Sequence, residues 1–361
     1  MHDPTHSYRL APGVPSFVRG PVHGLGGGMT NQTAPLRVAL CVRGYQRIFE
    51  ILRDALPRDE VFECGAEDVV LAARDADVLI PIMTRIPPAA LASPRLKLVQ
   101  QYGVGLDIVD IAAATAAGVR VANVSSVGTG NAESVAELAI AHLLMLTRQL
   151  PLAQQRFRER RFGAPLAQSL WRSTVLILGY GGIGEEIARR LAGFGCRVIA
   201  VSQHGPQGLR PRDPSVPLAR HVAMADLHEV LGEADAVVIG APATPENLSL
   251  VNAAMIARMK RGVFVVNIAR GQVLDYAALL AGLRSGHIAG AGLDVFWQEP
   301  FDPADPLLLE NVIPTPHVGG VTVRSLEGIA LAVAANLDAL RAGQPLACCV
   351  NPQATKARAG T

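Results

Sequence analysis

The chain has 361 residues, half of them hydrophobic, which is more than one hydrophobic core usually organises, so we expect two domains. Lys and Arg number 33 against 31 for Asp and Glu, a balance that argues against nucleic acid or an anionic lipid surface as a partner. No apolar run reaches the roughly 18 residues needed to cross a bilayer, so we expect no membrane partner.

The first 35 residues are rich in Gly, Pro, Ser and His and lack apolar periodicity. We expect a disordered tail without a secretory signal, and Met29 near its end is an alternative translation start. The cysteines are odd in number and have neither metal-ligand nor disulfide spacing, which predicts a cytoplasmic protein with no metal site. They are Cys41, Cys64, Cys196, Cys348 and Cys349.

Four short apolar runs lie between residues 36 and 123: LRVALCV, ADVLIPI, LKLVQQYG and VRVAN. Helix-like stretches separate them at the spacing of parallel βαβ units, which predicts a first α/β sheet. A long amphipathic segment from Ala132 to Gln149 follows, with Asn131 as its expected N-cap. We expect this helix to bridge two domains.

Six further runs predict a second sheet of the Rossmann type: TVLILG, CRVIAV, ADAVVIGA, GVFVVNIA, IAGAGLDV and NVIPTP. Residues Ser325 to Arg341 predict one last helix. It is too short to form a domain alone and must pack on an existing one. Residues 351–361 are expected to form a flexible tail.

A glycine-rich turn, GYGGIG, joins the first of these runs to a helical segment. Gly179, Gly181 and Gly184 fit the G-x-G-x-x-G pattern, in which glycine permits a tight turn, close approach of the backbone to a pyrophosphate, and contact between helix and strand. A chain rich in glycine also produces this spacing as a surface turn. The apolar strand before it and the helix after it favour dinucleotide binding.

Four charged or titratable residues lie at the ends of predicted strands: Arg270, Asp294, Glu299 and His317. Each taken singly is compatible with an ordinary surface or loop position. Ligands bind at this edge of an open α/β sheet, so we expect the four to lie near the cofactor.

Three of these side chains together suit hydride transfer to and from an alcohol. His317 is a suitable acid and base, because the imidazole titrates near neutral pH. Glu299 would orient the imidazole and favour its charged form. Arg270 would hold a substrate carboxylate with its two-pronged guanidinium and polarise the carbonyl.

The chain resembles the D-isomer-specific 2-hydroxyacid dehydrogenase family, which includes glyoxylate and hydroxypyruvate reductases and phosphoglycerate dehydrogenase. The resemblance covers roughly Gln100 to Gly320 and rests on QQYGVGLDIVD, SVAELAIAHLLMLTRQLP, the glycine turn, NIARG, GAGLDVFWQEP and TPHVGG in the order of the family. It implies transfer of a hydride between NAD or NADP and a small 2-keto or 2-hydroxy acid.

The resemblance also implies roles for single residues. Arg270, Glu299 and His317 match the catalytic residues of the family, and the backbone of Val104 and Gly105 matches the loop that receives the substrate carboxylate. Asp294 matches the residue that contacts the nicotinamide amide. The remaining implied cofactor-binding residues are Asn131, Gly179, Gly181, Gly182, Ile183, Gly184, Ser202, Pro242, Ala269, His317 and Gly319.

The fold implied by the resemblance is α/β, with two Rossmann-like domains. A discontinuous substrate domain, residues 36–123 and 317–350, is interrupted by a dinucleotide-binding domain with a doubly wound parallel sheet, residues 124–316. The family is typically dimeric through the cofactor domain, so we expect a homodimer with the apolar helix Ala132 to Leu146 as a contact.

Two departures from the family pattern bear on specificity. Ser202 stands where the family usually has an Asp at the end of the second Rossmann strand, which favours NADP slightly over NAD, with Gln203, His204, Arg210 or Arg212 as further donors. The region around ADVLIPIMTRIP lacks an arginine at the position where the phosphoglycerate enzymes carry one for the substrate phosphate, and Arg85 lies a few residues after that position.

Two alternative functions remain open from the sequence. Some relatives are nucleotide-sensing transcriptional corepressors, which would make the chain a binding protein without significant turnover. Formate dehydrogenases share the scaffold but pair their histidine with glutamine, so Glu299 favours hydroxy acid chemistry.

Overall fold

The computed structural model describes residues 34–208 and 213–354. Nearly all of the predicted N-terminal tail lies outside these residues, and so do the alternative start at Met29 and most of the predicted C-terminal tail. The two loop arginines Arg210 and Arg212 also lie outside them. The described residues from Pro35 onwards belong to one compact unit.

The first sheet has five parallel strands, one more than the four apolar runs predict. The strands are β1 (Arg37–Leu40), β2 (Glu60–Glu63), β3 (Val78–Ile80), β4 (Leu98–Gln100) and β5 (Arg120–Ala122), in the order β2-β1-β3-β4-β5. The helices along this part of the chain are α1 (Gln46–Ala55), α2 (Val69–Asp75), α3 (Pro88–Leu91) and α4 (Ile111–Ala116). The additional strand β2 lies at the sheet edge, where its glutamates are exposed, so it lacks a continuous apolar run.

Two consecutive helices, α5 (Asn131–Thr147) and α6 (Leu150–Arg158), connect the two sheets. Gly130, at a φ of 78°, occupies the N-cap of α5, so the prediction of Asn131 as the N-cap is wrong. The Asn131 side chain instead donates to Ser325 Oγ at 3.3 Å.

The apolar side of α5 is used inside the chain. Ala139, Leu143 and Leu146 are buried in a core shared with the second sheet. These three side chains are therefore covered within the chain, whereas Leu138 and Leu144 of the same helix are half-buried, and the predicted dimer contact remains a prediction. Among the described residues no single helix is long and apolar enough to cross a membrane, although the bent pair α5 and α6 passes by length and composition.

The second sheet has seven parallel strands. They are β6 (Thr174–Leu178), β7 (Arg197–Ser202), β8 (Arg220–Ala223), β9 (Ala236–Ile239), β10 (Val263–Asn267), β11 (Ile288–Leu293) and β12 (Val312–Pro314), in the order β12-β11-β10-β9-β6-β7-β8. The helices of this part are α7 (Gly182–Gly193), α8 (Leu227–Val230), α9 (Ala253–Arg258) and α10 (Tyr276–Arg284). The prediction of six strands missed β8, a half-buried edge strand of sequence RHVA.

The last helix, α11 (Val323–Arg341), returns to the first sheet. Ile329, Val333 and Leu337 are buried in one core with residues of β1 and α1, such as Leu40 and Leu52. The two parallel α/β sheets confirm the predicted architecture of two Rossmann-like units. Near the starts of α5 and α11, Ser134 Oγ lies 2.7 Å from Thr322 Oγ1.

The strand order of the second sheet reverses between β6 and β9, which are neighbours. A side chain at Gly179, which has a φ of 106°, would overlap the backbone of Gly240 and Ala241 at the end of β9. Open α/β sheets bind ligands in the crevice at such a reversal.

Candidate active site

The glycine turn lies at this crevice, between β6 and α7. A Cβ atom at Gly184 would overlap the carbonyl oxygen of Gly179, so this glycine allows the helix to touch the strand. A Cβ at Gly181 would meet nothing within 4 Å and would lie in open space. Gly182 and Ile183 form the first turn of α7, whose N-terminus attracts anions. The residues therefore fit the pyrophosphate of a dinucleotide.

His317 and Glu299, separated in sequence, meet beyond the ends of β11 and β12. Nδ1 of His317 donates to Oε2 of Glu299 at 2.7 Å, and the other Glu299 oxygen accepts the Phe296 N–H at 2.9 Å. Burial by itself raises the pKa of Glu299, but these two hydrogen bonds and the charges of His317 and Arg270 hold it below its ordinary value. Glu299 therefore remains a carboxylate next to the imidazole.

The loop that carries His317 is held by a buried carboxylate. Asp294 is 2% exposed; its Oδ1 accepts from Thr315 Oγ1 at 2.6 Å and from the Val318 N–H at 2.9 Å. Its Oδ2 accepts the Gly319 N–H at 2.8 Å. His317 has a φ of 54°, a strained conformation for a residue other than glycine, and these bonds hold the backbone on both sides of it.

Arg270 lies where the two sheets approach each other. Its Nε donates to Asp107 Oδ2 at 2.7 Å, and its Nη1 donates to the Ala269 carbonyl at 2.7 Å. A Cβ at Gly105 would overlap Nη2 of Arg270. The guanidinium therefore lies directly against the backbone of the loop after β4.

The same loop contains Val104 and Gly105, and two amide side chains hold it. Gln101 Nε2 donates to the Gly105 carbonyl at 2.9 Å, and Asn123 Nδ2 donates to the Val104 carbonyl at 2.6 Å. These bonds occupy the carbonyl oxygens. The loop thus brings Val104 and Gly105 to Arg270.

At the other end of the crevice, Ser202 ends β7. Its Oγ lies 2.8 Å from Nε2 of His221, on β8, and 3.3 Å from the Gly205 carbonyl oxygen. The ring of Tyr180, in the glycine turn, contacts the His221 ring edge-on at 5.3 Å between centroids. Gln203 and His204 are exposed beside this pair.

The other residues predicted to bind the cofactor differ in burial and in contacts. Pro242 follows β9, where its carbonyl accepts from Asn247 Nδ2 at 3.2 Å, and Ala269 is buried after β10. A Cβ at Gly319 would lie 2.9 Å from Asp294 Oδ2, so no side chain fits there. Asn131 is buried against α11.

Sequence reasoning did not single out Asp107, Thr315 and His221, which contact the candidate residues Arg270, Asp294 and Ser202 in that order. Asp107 lies inside the run QQYGVGLDIVD, and Thr315 lies inside TPHVGG. Their positions within these motifs could have indicated that both lie near the site. His221 belongs to the missed strand β8 and had no such signal. Within residues 34–208 and 213–354, no group of three or more His, Cys, Asp or Glu is placed to hold a metal ion.

The arrangement combines a carboxylate-paired histidine, an oriented arginine and a dinucleotide-type glycine turn at one crevice. A histidine whose Nδ1 donates to a carboxylate exchanges protons through Nε2. An arginine near it binds a carboxylate. This set of groups suits proton transfer to and from a small carboxylic acid.

Residues 140–319 match the family model for the D-isomer specific 2-hydroxyacid dehydrogenase NAD binding domain. A glyoxylate reductase from Thermococcus onnurineus is 36% identical over 311 residues, which cover 83% of this chain and 90% of the relative. A D-3-phosphoglycerate dehydrogenase from Mycobacterium tuberculosis is 36% identical over 286 residues, covering 77% of this chain but 52% of the relative.

Among solved structures, the NADPH-dependent glyoxylate/hydroxypyruvate reductase of Sinorhizobium meliloti, in complex with NADP and malonate, is similar to this chain with a TM-score of 0.74 and 31% identity. The superposition covers 91% of this chain and 100% of that one.

Proposed function

Because the chain belongs to the family of D-isomer specific 2-hydroxyacid dehydrogenases, we propose that it reduces short 2-keto acids of the glyoxylate type and uses NADPH at least as well as NADH. Membership of the family makes the chain an oxidoreductase that transfers a hydride between a nicotinamide cofactor and a small 2-keto or 2-hydroxy acid. The contact between His317 and Glu299 carries the proposal, because it orients the imidazole whose Nε2 would supply the proton that accompanies the hydride.

His317 is the proposed acid and base. In the direction of reduction, its Nε2 donates a proton to the oxygen of the substrate carbonyl, and in the reverse direction it removes the proton of the hydroxyl. Glu299 accepts from Nδ1, stabilises the imidazolium and fixes the ring. The reduced nicotinamide supplies the hydride when it is bound.

Arg270 is the proposed substrate-binding cation. Two of its nitrogens are oriented by Asp107 and the Ala269 carbonyl, and the third, Nη2, lies at the Gly105 backbone. We assign the substrate carboxylate to Arg270 together with the backbone of Val104 and Gly105. The half-exposed Val104 leaves this position accessible from solvent.

The glycine turn and the N-terminus of α7 are the proposed site for the pyrophosphate, because the open space at Gly181 admits a group that a side chain would exclude. Both oxygens of Asp294 are engaged by the loop around His317. These contacts favour a role for Asp294 in positioning the loop. The role in nicotinamide binding that the family implies for Asp294 stays a proposal.

Ser202 supports the use of NADPH. An acidic side chain at this position accepts from the ribose hydroxyls of NADH and repels the 2′-phosphate of NADPH, whereas a serine does neither. The test compares kcat/KM for both cofactors. Ser202→Asp should move the preference towards NADH, and a wild-type enzyme with a strong preference for NADH would contradict the assignment.

Substrate choice is tested with glyoxylate, hydroxypyruvate, pyruvate and 3-phosphohydroxypyruvate at saturating NADPH. We expect the highest kcat/KM with the short unphosphorylated acids, since the sequence lacks the expected phosphate-binding arginine in ADVLIPIMTRIP and Arg85 is exposed. Activity confined to the phosphorylated acid would overturn this. The alternative of a sensor without turnover is not favoured by reductase and dehydrogenase relatives, and turnover with any of these acids excludes it.

A homodimer remains part of the proposal, and a second surface besides α5 supports it. The segment that contains α6 and the chain after it exposes large apolar side chains to solvent: Leu150, Phe157, Phe162, Leu166 and Trp171. A cluster of exposed apolar side chains favours burial against a partner. Light scattering should give twice the chain mass, and Phe162→Glu together with Leu166→Glu should give the monomer.

We also retain the cytoplasm as the proposed location. All five cysteines are free thiols in the structure, which is typical of a reducing compartment. Fractionation of source cells, followed by detection of the chain in the soluble cytoplasmic fraction, tests this, and recovery from another fraction would contradict it.

A further inference from the structure

We propose that His221 acts with Ser202 as the site for the 2′-phosphate of NADP, and that the imidazolium form of His221 supplies the positive charge. The inference rests on the cofactor assignment in the proposed function and adds a dependence on pH. A charged neighbour is needed because Ser202 alone offers a phosphate one hydroxyl and no charge.

The register of the sheet places the pair on one face. Ser202 pairs with Ala223 and Ala200 with His221 in the parallel ladder between β7 and β8. Residues two apart on a strand point to the same side, so His221 and Ser202 share the face on which α7 packs. This end of β7 is where the adenine-side ribose binds in a Rossmann sheet.

The hydrogen bond between the two side chains controls what Ser202 offers a ligand. Neutral histidine either accepts from Ser202 through Nε2 or donates to it, depending on the tautomer. Protonated histidine can only donate. Ser202 Oγ then accepts from His221, and its hydroxyl proton is directed to another acceptor, such as a phosphate oxygen.

The charge of His221 is sensitive to such a ligand. The ring is half-buried, and burial lowers the pKa of His221. A phosphate near the ring favours the charged form, so its binding takes up a proton. The 2′-hydroxyl of NAD carries no charge and has no such effect.

Other titratable groups lie on the elements around His221, including Glu186 on α7, which is paired with Arg189 and Arg190. Tyr180 contacts the ring, and His204 forms a backbone bridge to Ala223 on β8. On α7, Arg189 is paired with Asp213, while Arg220, on the other face of β8, is paired with Glu229 and Glu233.

The test measures binding of adenosine 2′,5′-bisphosphate and 5′-AMP to the full chain by calorimetry at about pH 6.5 and pH 8.5, where the phosphate monoester remains largely dianionic. We expect the preference for the bisphosphate to fall by about tenfold or more between these pH values. Both ligands carry a 5′-phosphate that releases part of a proton on binding near its pKa, so the two are compared. We expect the net proton uptake with the bisphosphate to exceed that with 5′-AMP by up to about one proton.

The variant His221→Gln keeps a donor near Ser202 but cannot become charged, so the preference should no longer change with pH. His204→Gln removes the neighbouring exposed histidine that the sequence offers as a further phosphate donor. It should weaken binding of the bisphosphate at both pH values but retain the dependence of the preference on pH. The proposal would be overturned if the preference of the wild type for the bisphosphate did not depend on pH. It would also be overturned if that preference changed equally with pH in the wild type, His221→Gln and His204→Gln. If His221→Gln does not fold, proton uptake by the wild type and by His204→Gln still decides it.

These measurements contain no keto acid and require no turnover. Failure to reduce glyoxylate would therefore contradict the proposed substrate without altering the outcome for His221. Conversely, an active NADPH-dependent reductase whose bisphosphate binding takes up no proton would retain its function and lose this site.

Discussion

Asp107 Oδ2 lies 2.7 Å from Nε of Arg270, and this ion pair joins the loop after β4 of the first sheet to the loop after β10 of the second. The two residues are 163 positions apart in the chain. Because the side chain of Arg270 is 29% exposed, its guanidinium combines a fixed orientation with access to solvent. The cation proposed to bind the substrate is thus carried by the loop after β10 and oriented by a carboxylate from the loop after β4.

Arg270→Lys retains the positive charge but loses the planar fork and the Nε donor to Asp107. We expect kcat/KM for the keto acid to fall by about 10²-fold or more, with both turnover and substrate affinity reduced. Steady-state kinetics measure this. Arg261→Lys, at an exposed arginine bonded to the Ser285 carbonyl, is the matched control and should change little. A loss of thermal stability alone in Arg270→Lys would make Arg270 a structural residue.

His317→Gln removes the proposed acid and base while keeping a polar side chain of similar size. Turnover should fall by ~10² to 10⁴-fold, the range lost with a positioned proton donor. Cofactor affinity, followed by quenching of protein fluorescence, should remain close to that of the wild type. His287→Gln replaces a histidine that bonds the Met259 carbonyl and serves as the control. Near-normal turnover in His317→Gln would exclude the assignment.

Glu299→Gln tests the carboxylate through the pH profile. The pKa of Glu299 is held below its ordinary value, so in the wild type this group stays ionised as pH rises from the acid range to neutrality. Loss of the negative charge disfavours the imidazolium of His317. The pH above which the rate of keto acid reduction declines should therefore move downward. An unchanged profile would show that Glu299 has only a structural role.

Asp294→Asn tests whether the Asp294 carboxylate positions the loop around His317. An amide presents one NH₂ group to the donors that now surround both oxygens, so at least one hydrogen bond is replaced by a contact between donors. We expect a loss of about 1–3 kcal/mol in the free energy of unfolding, together with lower turnover because His317 is less well positioned. Asp302→Asn, in an exposed loop, is the control for denaturant unfolding. Unchanged stability with weaker cofactor binding would favour a direct contact with the nicotinamide instead.

Two glycine substitutions separate binding from packing in the glycine turn. A methyl group at Gly181 enters open space at a φ of −103°, so Gly181→Ala should leave the melting temperature unchanged and weaken cofactor binding by roughly tenfold or more. Gly184→Ala instead overlaps the Gly179 carbonyl and should cost about 1–3 kcal/mol of stability. Equal effects of the two variants on stability, with normal cofactor binding by Gly181→Ala, would exclude the assigned binding position.

The sequence by itself determined the class of fold and the chemical types at the site. Continuous apolar runs identify buried parallel strands, because both faces of such strands are covered, and the glycine spacing identifies a turn that few other residues can adopt. The order of the motifs also singled out Arg270, Glu299 and His317 as candidate catalytic residues. The edge strands β2 and β8 escaped notice because exposed edges do not require apolar residues.

Only the tertiary structure decided how these residues are held. The contacts of Asp107 with Arg270 and of Ser202 with His221 join separate elements, and no local pattern of spacing encodes them. The apolar side of α5 turned out to be buried within the chain, since amphipathic periodicity specifies that a face is covered and not what covers it. For Asp294, the sequence predicts a position after a strand but not the hydrogen-bond partners. Those partners depend on how the loop around His317 folds over the carboxylate.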